Sequence, residues 1–339
     1  MGWGTLTDSE SAKFMKLVEH EAEPHARDIL RLSREAHARS STLNSRIESD
    51  ISNRWAKGWE FFDGVVYATQ QDGAMLLQRT DEVDDDHSPM REALALINSA
   101  ACLVFQEIRT LLLAGFWSGA VGRWRALHEL AVSAIIVAQQ DPSFAQRYLD
   151  HSFVVQTHRL CEYYEVHGRG PVAQQELEKR RAQAELLSQK HQVSNAPKRF
   201  RDSYGWAAPL MPLNRQGDKL VPPTFDRLEK MANEDHRRLL VMSAHGHVHS
   251  DSAGVVAAVL ASDTEWALGP TPGFPQQVAR PAFLTMRSLI AATHLGFEPE
   301  FNEFAKVIGL CGASAMQLAL WGARAFDEGS DPHPESGPS

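Results

Sequence analysis

Cysteine is scarce in this chain: Cys102, Cys161 and Cys311 are its three among 339 residues, and they lie far apart. An odd, scattered set of this kind suggests neither a disulfide framework nor a cysteine zinc site. Long apolar runs are missing as well. No stretch approaches the roughly 18 uninterrupted apolar residues of a membrane-spanning helix, so no membrane partner is expected. The opening MGWGTLTDSESAKFMK has neither the basic start nor the apolar middle of a signal peptide. These absences place the expected protein in a reducing cytoplasm. Positive charge is also in deficit, with 34 Lys and Arg against 43 Asp and Glu and a formal net charge of −9. That balance argues against a protein that coats nucleic acid nonspecifically and leaves room only for a local basic groove. What remains is ordinary for a folded chain: 43% hydrophobic and 23% charged residues, in a length that can bury one large core or two smaller ones.

Strand-like alternation of useful length is absent, and so are internal repeats. Apolar residues instead recur at three and four positions between short Pro/Gly breaks, which is the period of helices. Thr7 and Glu10 form a capping-box pattern that opens a helix running to about Ala38. A second helical stretch covers Trp59 to Gln78 and is closed by the acidic DEVDDDHSP, whose repelling charges read as solvated. The segment from Met90 to Ala114 is apolar nearly all round, the pattern of a central buried helix, and Gly115 stops it. Residues 117–139 follow as a helix; Asp141 and Pro142 then make an N-cap and a first-turn proline for the next. Residues 171–195 read as a charged surface helix. The Pro-, Gly- and aromatic-rich stretch from Asn195 to Pro223 is too long for a simple connection and reads as a functional loop. Helices return from Thr224 to about Leu260, Gln277 to His294 and Glu298 to Phe326. The expected architecture is all-α: a helical bundle (86–327) with an N-terminal helical arm (1–85) and a disordered C-terminal tail (328–339). Its expected central layer is the helices near 90–114, 117–139 and 237–260.

Chemistry concentrates in two stretches. In GFWSGAVGRWRALHELAVSAIIV, Arg125 and Glu129 stand one helical turn apart on one face. In VMSAHGHVHSDSAG, residues 241–254, His245, His247 and His249 occupy alternate positions, followed by Ser250 and Asp251. On a helix, His245 and His249 share a face and His247 does not. In an extended loop all three share a side. Polar groups that interrupt apolar helices need partners, so the arginine, the glutamate and the histidine segment are expected to meet in one polar pocket.

Together with YGWAAPL and TFDRLEKMANEDHRRLLVMS, these stretches resemble the family catalogued as domain of unknown function 5677 over roughly residues 90–260. Its members pair an R-x-x-x-E helix with a later Ser and His at a helix end. Arg125 and Glu129 match that pattern. Spacing from Ser243 selects His247 as the matching histidine, and the V-H-S context selects His249. The family is in turn similar in style to the HEPN helical ribonucleases, whose Arg and His enclose four to six residues, as Arg238 and His245 enclose LLVMSA here.

Three readings follow. The resemblance implies a HEPN-like metal-independent ribonuclease, a defence- or toxin-type effector of a bacterial cytoplasm, acting as a homodimer without a cofactor. His245 would be the base and Arg238 the phosphate clamp, with RNA approaching through Lys198, Arg199, Arg201, Arg237 and Arg238. The second reading is a metal-dependent helical hydrolase, with His245, His249 and Asp251 as ligands of a divalent ion, or Glu129 as the third ligand. The third is a catalytically silent helical module that binds through the 200–223 loop. In that case the histidines cap helix carbonyls, Arg238 is a solvated helix residue, and Arg125 with Glu129 is a structural ion pair.

Overall fold

The computed structural model describes residues 41–82, 85–168, 171–197, 199–249, 270–271, 275–297 and 303–329. The first expected helix, the tail beyond residue 329, Lys198 and the segment from Ser250 through Asp251 to residue 269 lie outside these residues. Among the described residues the protein is all-α, and its one β-like contact is an isolated antiparallel bridge between Leu213 and Leu220.

A helical stretch at 41–54 leads into α1 (Ala56–Glu82). It is followed by α2 (Ser88–Leu113), α3 (Trp117–Ala138), α4 (Pro142–His167) and α5 (Pro171–His191). A 3₁₀ turn at Gly205–Leu210 and the short α6 (Phe225–Met231) precede α7 (Arg238–His249); α8 (Pro275–Phe297) and α9 (Glu303–Glu328) complete the bundle. Local chemistry sets several of these boundaries. The Asp141 carboxylate accepts a hydrogen bond from the Phe144 backbone N–H, with Pro142 in the first turn of α4. Gly115 ends the α2 turn at φ +78°, and a Cβ there would meet the Thr271 carbonyl at 2.8 Å.

Helix α2 is long and apolar enough to cross a bilayer by length and composition, yet here it is a core helix packed on α1, α3 and α8. Its Phe105 stacks at 4.3 Å on Phe62 of α1, which in turn lies 4.5 Å from Phe283 of α8 and 6.1 Å from Phe326 of α9. Residues 41–82, read as part of an arm, join this same core through Ile47, Ile51, Trp55, Trp59, Phe62 and Val65. The expected central layer included a helix near 237–260, of which residues 250–260 lie outside the described residues. Helix α8 buries Val278, Ala282, Phe283, Met286, Leu289 and Ile290 against α2, α3 and α9, whereas α7 contributes Val241 and Ala244. Apolar period reveals that a helix has a core face; it does not say how many neighbours that face meets.

The acidic connection after α1 carries a further departure from the expectation of solvated charge. Arg91, fully buried in the first turn of α2, ion-pairs with Asp85, and the His87 backbone N–H donates to the same carboxylate at 2.8 Å. The Arg91 hydrogen bond, ahead of the other contacts, holds the Asp85 carboxyl below the usual range.

Candidate functional site

Helices α3, α6 and α7 converge on the polar residues of the α3 motif. On α3, Arg125 donates through Nε to Glu129 Oε1 at 3.2 Å, with Nη2 also 3.2 Å from that oxygen. Its Nη1 faces His245 Nδ1 of α7 at 3.3 Å and the Val241 carbonyl at 3.5 Å. The guanidinium lies 5.8 Å from the Phe225 ring of α6. A guanidinium has only donors, so His245 Nδ1 accepts through its lone pair and the ring proton resides on Nε2. Arg125 is mostly buried, while His245 is exposed.

The histidines lie on a helix. Positions 245 and 249 therefore share a face and position 247 is on the other side, which excludes the extended arrangement. The side chains of His247 and His249 are outside what the structure describes. Among the described residues no group of three His, Cys, Asp or Glu side chains is arranged to hold a metal.

Arg238 sits two turns before His245 on the same face, about 10 Å back along the axis. It is occupied by carboxylates: Nη1 meets Glu229 Oε2 at 2.9 Å and Nη2 meets Asp226 Oδ1 at 3.3 Å. The arginine that touches the histidine therefore comes from α3. Of the other expected phosphate contacts, Arg237 is mostly buried and ion-paired with Glu234, and Arg199 faces Asp202 at 3.5 Å.

Behind this layer lies a relay that the sequence reading did not single out. His128, fully buried one turn after Arg125, meets Glu229 Oε1 at 2.9 Å, and Glu229 passes the chain of contacts to Arg238. Trp124 stacks on the imidazole at 5.3 Å and Phe225 meets it edge-on. Burial lowers His128 to about 4, with the Glu229 hydrogen bond opposing it, so the ring is neutral and donates Nε2–H to the carboxylate. Its Nδ1 is buried with no hydrogen-bond partner. The clue was present in RALHEL: His128 falls on the apolar side of an otherwise buried helix, where an imidazole needs a partner.

Beside Glu129 opens a cleft of about 1060 Å³ between α3, α4 and the loop that leads into the 3₁₀ turn. One face of α4 lines it at helical spacing, with Tyr148, His151, Val155, His158 and Glu162. Arg147, on the same helix, pins the opposite wall. Its guanidinium donates to the carbonyls of Trp206 (2.7 Å), His191 (2.7 Å) and Gly205 (3.1 Å) and lies 4.8 Å from the Phe200 ring. Burial lowers it to about 10. Gly205 admits no side chain, since a Cβ would stand 2.1 Å from the Phe200 carbonyl oxygen, and Tyr204 before it adopts φ 60°. The 195–223 loop is thus a braced wall, and Tyr204 is its strained tip facing Glu129 and Arg125. Replacing Arg147 with methionine strands three carbonyls. The expected result is a loss of about 3 kcal/mol or more in stability and faster amide exchange over residues 199–206, read by denaturant titration and hydrogen exchange.

Fold and site define an all-α protein with an arginine–glutamate–histidine cluster at the edge of a braced cleft. The chain belongs to a family of unknown function, DUF5677, whose model matches residues 92–265, just over half its length. That span holds α3, the cleft, the relay and the histidine helix, and it leaves out α8 and α9. Searches of curated proteins and of solved structures found no match.

Proposed function

We propose that the protein is a metal-independent ribonuclease acting in the cytoplasm, with Arg125, Glu129 and His245 as its reacting cluster. The observation that carries this reading is the 3.3 Å contact between the Arg125 guanidinium and His245 Nδ1 across two helices, at the rim of a cleft. Glu129 fixes the guanidinium from its own helix. The imidazole so held is neutral and bears its proton on Nε2, from where it donates a hydrogen bond to the reacting phosphate. The 2′-oxygen attacks phosphorus as its proton passes to water, the bond to the 5′-oxygen breaks, and the departing oxygen, hydrogen-bonded by Nε2–H, takes its proton from water. Arg125 stabilises the charge gathered on the non-bridging oxygens. This order of roles differs from the base expected of His245, because the contact with Arg125 occupies its Nδ1 lone pair. Arg238, held by Glu229 and Asp226, serves to anchor α7 and not to clamp phosphate.

The test is incubation of the purified protein with single-stranded RNA and with DNA of the same sequence, both in excess EDTA. RNA cut and DNA intact is the expected result, since only RNA carries the attacking 2′-oxygen. Intact RNA across a wide range of sequences, or equal cleavage of DNA, would overturn the reading.

A further inference from the structure

We propose that the cleft between α3, α4 and the 199–206 loop binds a nucleotide through one phosphate group, with Arg201, His158 and Arg159 holding the phosphate and Tyr204 flanking the base. The proposal deepens the ribonuclease reading by naming the portion of ligand that the cleft takes, and its test does not require cleavage.

The charge inventory of the cleft carries the argument. Three arginines and three carboxylates line it, Arg159, Arg199 and Arg201 against Glu129, Glu162 and Asp202. Glu129 is engaged by Arg125, and Asp202 by the backbone N–H of Arg199 at 2.9 Å and its side chain at 3.5 Å. Among the described residues Arg201 pairs with no carboxylate; its Nη1 donates to His158 Nε2 at 3.4 Å. Arg159 makes neither a hydrogen bond nor an ion pair with a described residue. Two guanidiniums that pair with no carboxylate among the described residues thus flank one imidazole on a concave surface, with Glu162 and Glu185 as the carboxylates that act on it. Planar guanidinium forks match phosphate oxygens. Burial and the charge of Arg201 hold His158 below its ordinary range, so its Nε2 lone pair keeps Arg201 in place.

The size of this charge decides what fits. With Glu129 and Asp202 already engaged, a single phosphate balances the two arginines that no described carboxylate pairs. Next to them, the phenol of Tyr204 is pushed up to about 12, mainly by burial and then by Glu129, and stays a neutral donor. Its ring, 6.3 Å from that of Phe225, is held in a strained backbone by the loop that Arg147 braces. A conformation of this cost persists where the surroundings enforce it, and here it sets an aromatic face beside a phosphate-sized charge.

Calorimetric titration of the full chain with AMP, adenosine and inorganic phosphate tests the site. AMP is expected to bind at least about tenfold more tightly than either fragment, given the usual contribution of base–aromatic contact. Arg201→Gln weakens AMP at least tenfold and leaves adenosine unchanged. Tyr204→Asn, chosen because asparagine tolerates the left-handed backbone, weakens AMP but not phosphate, and Tyr204→Phe stays within a few-fold of the wild type. AMP binding no tighter than phosphate, or Arg201→Gln without effect at an unchanged melting temperature, overturns the proposal. A 5′-phosphorylated oligoribonucleotide in competition with AMP then tells whether free nucleotide or an RNA end is the ligand. AMP binding without RNA cleavage keeps the site and removes the ribonuclease reading; cleavage without AMP binding does the reverse.

Discussion

His245→Ala is expected to lower RNA cleavage by about 10²-fold, the usual span for loss of one hydrogen-bond donor to developing negative charge, while leaving the melting temperature near that of the wild type. The side chain is exposed and faces Arg125 at hydrogen-bond distance, so its removal leaves the core untouched. Arg125→Lys should cut activity by about 10²-fold, because an ammonium keeps the charge but cannot serve Glu129 through Nε and His245 through Nη1 together. Glu129→Gln leaves the guanidinium in place with a weaker anchor and should fall between wild type and Arg125→Lys. Activity lost with stability retained makes the cluster chemical. If all three variants instead lose stability and the wild type never cuts RNA, the cluster is a polar clasp between α3 and α7.

Acidification is expected to destabilise the protein by about 3 kcal/mol through His128 alone, as pH falls from above 6.5 to about 4. Its ordinary value is 6.5 and the folded value is about 4, so within that window the unfolded chain binds a proton that the folded chain refuses. Stability from this group is complete above pH 6.5 and drains away as pH approaches 4. The cause is burial between Trp124 and Phe225, which gives an imidazolium no water. In His128→Gln the amide N–H can still donate to Glu229 but does not titrate. Urea unfolding at pH 7.5 and pH 4.5 should therefore show the wild type losing about 2 to 3 kcal/mol more than the variant. Equal losses would show that His128 does not govern the acid limb.

The motif helix α3, the break at Gly115 and the start of α4 at Asp141–Pro142 were legible because each rests on local chemistry: apolar period, a residue free to take positive φ, and a side chain that caps its own helix. The charged α5 was legible for the same reason, although Leu177 and Ala184 give it a buried edge against α4. Arg125 and Glu129 stood out as polar residues in apolar surroundings. Their spacing of four already required one face.

Which partners these residues find is a matter of distances between segments far apart in the chain. Arg238 and His245 satisfied a spacing along one helix, but spacing carries no information on the acidic neighbours Asp226 and Glu229 that turn Arg238 aside. His128 reaches a carboxylate 101 residues away, and Arg125 a histidine 120 residues away. The stretch read as a functional loop forms a braced wall because Arg147, 58 and 59 residues earlier, takes up its carbonyls. The sequence by itself determined the helices, their polar interruptions and the class of the fold, since those depend on neighbours within a turn or two. The pairing of Arg125 with His245, the buried relay and the cleft with its arginines were decided only by tertiary structure, because hydrogen bonds and charge are satisfied in space and not along the chain.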